Sequence, residues 1–197
     1  MANMAQTIAI GSAAMLLSRK LLATLCAVTV SFSLAACGSS GSSGPSPAAY
    51  VKSICQAIGP FEKTVQSRSK SLNLSTIKSP ADGKKALQGF LNSVATDTDA
   101  AVNKLKAAGA PNVSNGKQVS QAIVGAFTAL KTALTKAAGQ AGSLPTTSPT
   151  AFQAAAQSLG SSVQTSMSGI GGSLSNLKSP ALETAAKKEP ACTTLGA

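Results

Sequence analysis

From residue 48 onward, apolar positions recur at spacings of three and four, and no stretch alternates as a half-buried strand would. The first block carries Val51, Ile54, Cys55, Ile58, Phe61 and Val65 on one helical stripe. Gly59-Pro60 interrupts it and predicts a kink or short break, because proline lacks an N–H and crowds the preceding turn. Leu72, Leu74 and Ile77 lead out through a polar stretch.

Ser79-Pro80 opens the second block. Serine caps, proline suits the first helical position, and Asp82 complements the positive end of the helix. Its stripe is Leu87, Phe90, Leu91, Val94, Ala101, Val102 and Leu105, and it stops near Ala108-Gly109 with Pro111 beyond. The third block runs from about Ser114 to Ala138, with Val119, Ile123, Phe127, Leu130 and Leu134 inward. A loop rich in Gly, Ser, Pro and Thr follows from Gly139 to Thr147.

Ser148-Pro149 repeats the capping device, and Phe152, Leu159, Val163, Met167, Ile170, Leu174 and Leu177 continue the inward stripe. Gly169, Gly171 and Gly172 weaken that helix by about 1 kcal/mol each relative to alanine. It therefore either bends there or admits a close backbone. Ser179-Pro180 starts a last short helix that delivers Cys192. The pattern predicts an all-α, mostly up-and-down bundle of four long helices plus a short C-terminal helix. One phenylalanine in each long block (Phe61, Phe90, Phe127 and Phe152) predicts a shared aromatic core layer.

A different pattern precedes the helical blocks. An apolar run from Leu21 to Ala36 follows the cationic pair Arg19-Lys20 and ends in Leu34-Ala35-Ala36-Cys37-Gly38. A positive start, a short apolar centre and small residues at the cut make a secretory signal peptide. A spanning helix needs about 20 mostly apolar residues. This run offers 16, with Thr24, Thr29, Ser31 and Ser33 among them, and no second long run follows. Residues 1–18 carry no charge; Met1, Met4 and Met15 are candidate starts, and Met15 gives the most compact leader.

The cysteine directly after the small residues resembles the lipobox of bacterial lipoproteins, a likeness that stops near Ser40. It implies a diacylglyceryl group on the Cys37 thiol, cleavage before Cys37, and anchoring to the outer face of the bacterial cytoplasmic membrane. Each buried methylene contributes about 0.8 kcal/mol, and two acyl chains suffice for a stable anchor. The leader is then residues 1–36, a lipidated flexible tether 37–47, and a helical domain 48–197. The alanine-rich, lysine-bearing style resembles small helical lipoproteins of high-GC Gram-positive bacteria. That general likeness lends no functional residues.

Of 17 Lys and Arg, Arg19 and Lys20 leave with the leader, so 15 cations face 6 carboxylates, a net +9. Arg68 is the one arginine among them. Lysine is a hydrated point charge without the fork that grips phosphate, and the lysines are spread along the chain, so nucleic acid is not an expected partner. Anionic lipid headgroups or acidic wall polymers suit the charge; a merely solvated basic surface is the plainer reading. With Cys26 lost and Cys37 lipidated, Cys55 and Cys192 remain. Outside the cytoplasm such a pair is expected to form a disulfide, two free thiols being the alternative.

Chemistry-bearing motifs are scarce. Without histidine there is no Ser-His-Asp or Cys-His arrangement and no imidazole ligand. Asp97-Thr98-Asp99 opens like a calcium loop, but Val102 and Ala108 stand where glycine and the last acid belong. Residues two apart do not share a helix face, so both aspartates read as surface. Ser67 and Lys70 have the spacing of a Ser-x-x-Lys dyad without its setting, and no glycine cluster spells a phosphate loop. The sequence thus predicts a non-catalytic interaction or binding module of the cell envelope, with no cofactor and no metal. Its protein partner is unknown. The alternative is a carrier of a hydrophobic small ligand, which would need a cavity above ~300 Å³ lined by Leu, Ile and Phe.

Overall fold

The computed structural model describes residues 44–71, 77–175, 177–193 and 195, with residues 170–175 described by their backbone. Cys37, the leader, Leu72 and Leu74 lie outside the described residues, as do the side chains of Ile170 and Leu174. Among the described residues six helices follow in order: α1 Pro47–Ser71, α2 Pro80–Ala107, α3 Gly116–Gly142, α4 Pro149–Ser175, α5 Pro180–Lys188 and α6 Pro190–Thr193. No strand occurs among the described residues. The chain is all-α, with four long helices and short C-terminal ones.

Each long helix packs on the next, α1 on α2, α2 on α3 and α3 on α4, while α5 and α6 fold back on α1. The bundle has two distinct ends. At the proximal end the start of α1 meets the α2–α3 connection, where the Asn112 amide donates to the Pro45 carbonyl at 2.8 Å. At the distal end Gln88 of α2 meets Gly142 of α3, and the Phe152 ring of α4 lies against Gly83 of α2.

Local signals account for most boundaries. Ser79 is extended and its hydroxyl accepts from the Asp82 amide at 3.2 Å, as the Ser-Pro device requires. Gly109 closes α2 with φ 72, a left-handed conformation that costs glycine no Cβ clash. Of the kink or break expected at Gly59-Pro60, the break does not occur. Helix α1 runs unbroken through Pro60. Pro60 and Gln56, whose carbonyl loses its helical partner, are both exposed, so water can take the missing place.

Helix α3 continues past Ala138 to Gly142, into the stretch expected to be loop. Ala137, Ala138 and Ala141 are buried there, and that packing outweighs the weak helix preference of Gly139. The last helix is split. Glu189 is extended between α5 and α6, because the residue before Pro190 is driven out of the helical region.

The main core gathers Leu91, Val94 and Ala95 of α2, Leu134, Ala137, Ala138 and Ala141 of α3, Leu144, and Leu159 of α4. Phe90 and Phe152 pack against it. Phe61 and Phe127 instead meet edge to face at 5.8 Å between ring centres, so the four rings do not form the single layer expected. Met167, expected inward on α4, is instead 50% exposed. Among the described residues, an added Cβ at Gly169 would meet open space.

Candidate functional site

The described residues begin at Gly44, inside the stretch read as tether. Gly44 and Pro45 lie against the α2–α3 connection, and a Cβ at Gly44 would overlap the Ala110 carbonyl. Close approach also governs the connection itself, since the Pro111 carbonyl occupies the space a Gly116 side chain would need. Asn115, before α3, turns its side-chain amide to the Lys178 carbonyl at 3.1 Å and so ties the α4–α5 connection to the same end.

Behind this corner sits Tyr50, 2% exposed and the one tyrosine of the chain. Its hydroxyl is hydrogen-bonded to the Ser120 side chain, and the Ser120 hydroxyl donates to the Gly109 carbonyl at 2.7 Å. Burial pushes the Tyr50 hydroxyl above its ordinary 10.0, and the bond to Ser120 opposes that shift in part. The folded state therefore holds the proton more tightly than the unfolded chain. The associated stability is complete below pH 10.0 and is lost as pH rises through the folded-state value. With no Trp in the chain, tyrosinate absorbance should show one step, above pH 10.0 in the folded protein and near it in urea. A folded-state step at the ordinary value would contradict the burial.

Midway along the bundle, Asp97-Thr98-Asp99 joins three helices. Asp97 accepts from Arg68 of α1, the Nη2–Oδ1 bond measuring 3.2 Å, and Asp99 accepts from Lys131 of α3 at 2.7 Å. Thr98 points inward, fully buried, and its hydroxyl donates to the Val94 carbonyl at 2.7 Å. The Asp97 bond holds the Arg68 guanidinium above its ordinary value, against a smaller opposing effect of desolvation. The two aspartates face opposite neighbours, as their spacing of two dictates, and serve as inter-helix ties.

Other carboxylates also have structural duties. Asp82 receives the Ser79 hydroxyl at 2.8 Å, and Glu189 accepts the Ala191 amide at 3.1 Å. Among the described residues no three of His, Cys, Asp and Glu gather as a metal site. An open groove of about 450 Å³ runs beside Lys131, Thr132, Thr135 and Lys136 on α3. Lysine stems and threonine methyls form most of its lining, with no Leu, Ile or Phe among them.

The Cys55–Cys192 disulfide is formed, joining buried Cys55 of α1 to α6 with Cα atoms 5.1 Å apart. It clamps the C-terminal segment onto the first helix. Sequence reasoning missed the Tyr50–Ser120–Gly109 corner and the docking of Gly44 and Pro45; a lone tyrosine in the first turns of a helix was the available signal. Among the described residues no helix is long and apolar enough to cross a membrane. No family model, no curated protein and no solved structure matches this chain.

Proposed function

We propose that the chain is a lipid-anchored lipoprotein of the bacterial cell envelope. Its helical body, held outside the cytoplasmic membrane, acts as a non-catalytic interaction module. The observation that carries this reading is the Leu34-Ala35-Ala36-Cys37-Gly38 run behind Arg19-Lys20 and a short apolar stretch. Two features support it. The body is already in place at Gly44, so at most six residues separate it from Cys37, and the Cys55–Cys192 bridge suits an oxidising compartment. The groove on α3, lined by lysine and threonine, does not favour a hydrophobic-ligand carrier over an interaction module.

Cys37→Ala should leave the leader uncut and the acyl mass absent, since no other cysteine follows a stretch of this type. Normal cleavage and acylation of that variant would remove the lipoprotein reading. Native mass spectrometry of the wild-type protein from its own membrane separates the two classes. An interaction module should carry a partner chain or nothing, whereas a retained small apolar molecule would favour the carrier.

A further inference from the structure

Six residues separate Cys37 from Gly44. At no more than about 3.6 Å per residue, that link keeps the proximal end within roughly 25 Å of an acylated Cys37. The proximal end therefore faces the bilayer on which the anchor sits. It also has an uneven charge. Lys52 of α1, Lys104 and Lys106 in the last turn of α2, Lys117 in the first turn of α3, and Lys178 beside Asn115 are all exposed there.

No carboxylate occurs between residues 44 and 61, 100 and 130, or 176 and 182. Asp97 and Asp99 are engaged in mid-bundle, Asp82 stands at the distal end, and Glu62 and Glu189 lie outside these stretches. Glu183, in the first turn of α5, is the single acid near them along the chain.

We infer that the proximal end, through Lys52, Lys104, Lys106, Lys117 and Lys178, docks against anionic lipid headgroups and holds the bundle upright on the membrane. The inference rests on the lipid-anchored reading. Charge complementarity and the short link together select the bilayer as the occupant. Lys84 and Lys85 sit at the other end of α2, a helix of 28 residues, or about 40 Å of rise, which is far beyond the ~10 Å screening length at 0.1 M salt. They serve as the internal reference.

The test uses the full mature lipoprotein in vesicles of neutral phosphatidylcholine, with or without one part phosphatidylglycerol in about three. A membrane-impermeant amine-acylating reagent is applied, and the modification rate of each lysine is read by mass spectrometry. Roughly fivefold protection per lysine, the value of one headgroup-proximal cation, is expected at the five proximal lysines on anionic vesicles. It should vanish at 1 M salt, and Lys84 and Lys85 should react alike on both surfaces.

Lys104→Glu with Lys117→Glu should abolish the protection of Lys52 and Lys178. Lys84→Glu with Lys85→Glu should leave it intact. Equal proximal rates on both vesicles, with the protein co-sedimenting with each, overturn this inference alone. Failure to co-sediment with neutral vesicles overturns the anchored reading and the inference with it. Protection that needs an added acidic polymer rather than anionic lipid also overturns it.

Discussion

Replacing Cys55 and Cys192 together by serine should lower the stability of the body by up to about 5 kcal/mol, the chain-entropy value for closing so long a loop. The cysteines stand 137 residues apart, so the bridge restrains almost the whole folded chain. The loss should have a local component as well. No residue of α5 or α6 is fully buried, and half-buried Leu182, Ala185 and Ala186 hold them on α1 less firmly than a closed core would once the covalent link is gone. Amide exchange in residues 180–193 should accelerate ahead of the four long helices. The urea midpoint should fall by on the order of 2 M, given a slope of 1–3 kcal/mol per molar. An unchanged midpoint would mean that the bridge adds nothing the packing does not already supply.

Leu105→Ala should destabilise by about 3 kcal/mol, the middle of the range for a fully buried leucine, because a cavity remains where the side chain was. Leu105 is 0% exposed, with buried Ala101 and Val102 before it on α2. Met167→Ala makes the comparison sharp. Both residues lie on stripes of helical spacing, yet Met167 is 50% exposed, and its loss should cost less than about 0.5 kcal/mol. Thermal or urea unfolding of the two variants with the disulfide intact checks both values. Similar losses would show that the end of α4 is covered after all.

Signals carried within one turn were legible in the sequence. Ser79-Pro80 and Ser148-Pro149 mark the starts of α2 and α4, because capping depends on a serine and its next few neighbours. Counting cysteines likewise gave the pair Cys55 and Cys192, once the lipobox likeness had removed Cys37. Features set by packing between helices were not legible. The end of α3 hides in Ala137, Ala138 and Ala141, small residues whose burial no periodicity announces beside Gly139 and Gly142.

Helix heights decide the rest. Phe61 and Phe127 meet at one level while Phe90 and Phe152 pack against another cluster, and the sequence does not state where each helix begins along the shared axis. Met167 follows its stripe correctly, but no neighbouring helix covers it. The Tyr50 corner was missed because its partners, Ser120 and Gly109, carry no signal until the α2–α3 turn brings them together. As for the candidate site, the leader motif is local and readable. The cationic proximal end appears only when α1, α2 and α3 converge.

The lipid anchor is the central claim, and one mass measurement tests it. The protein is isolated from the membrane fraction of its own cells, digested, and its N-terminal peptide weighed before and after ester hydrolysis. A chain that begins at Cys37, carries a diacylglyceryl mass and loses its ester-linked acyl chains on hydrolysis is the predicted result. A chain with an unmodified Cys37 thiol, or one that still retains the residues before it, would contradict the account.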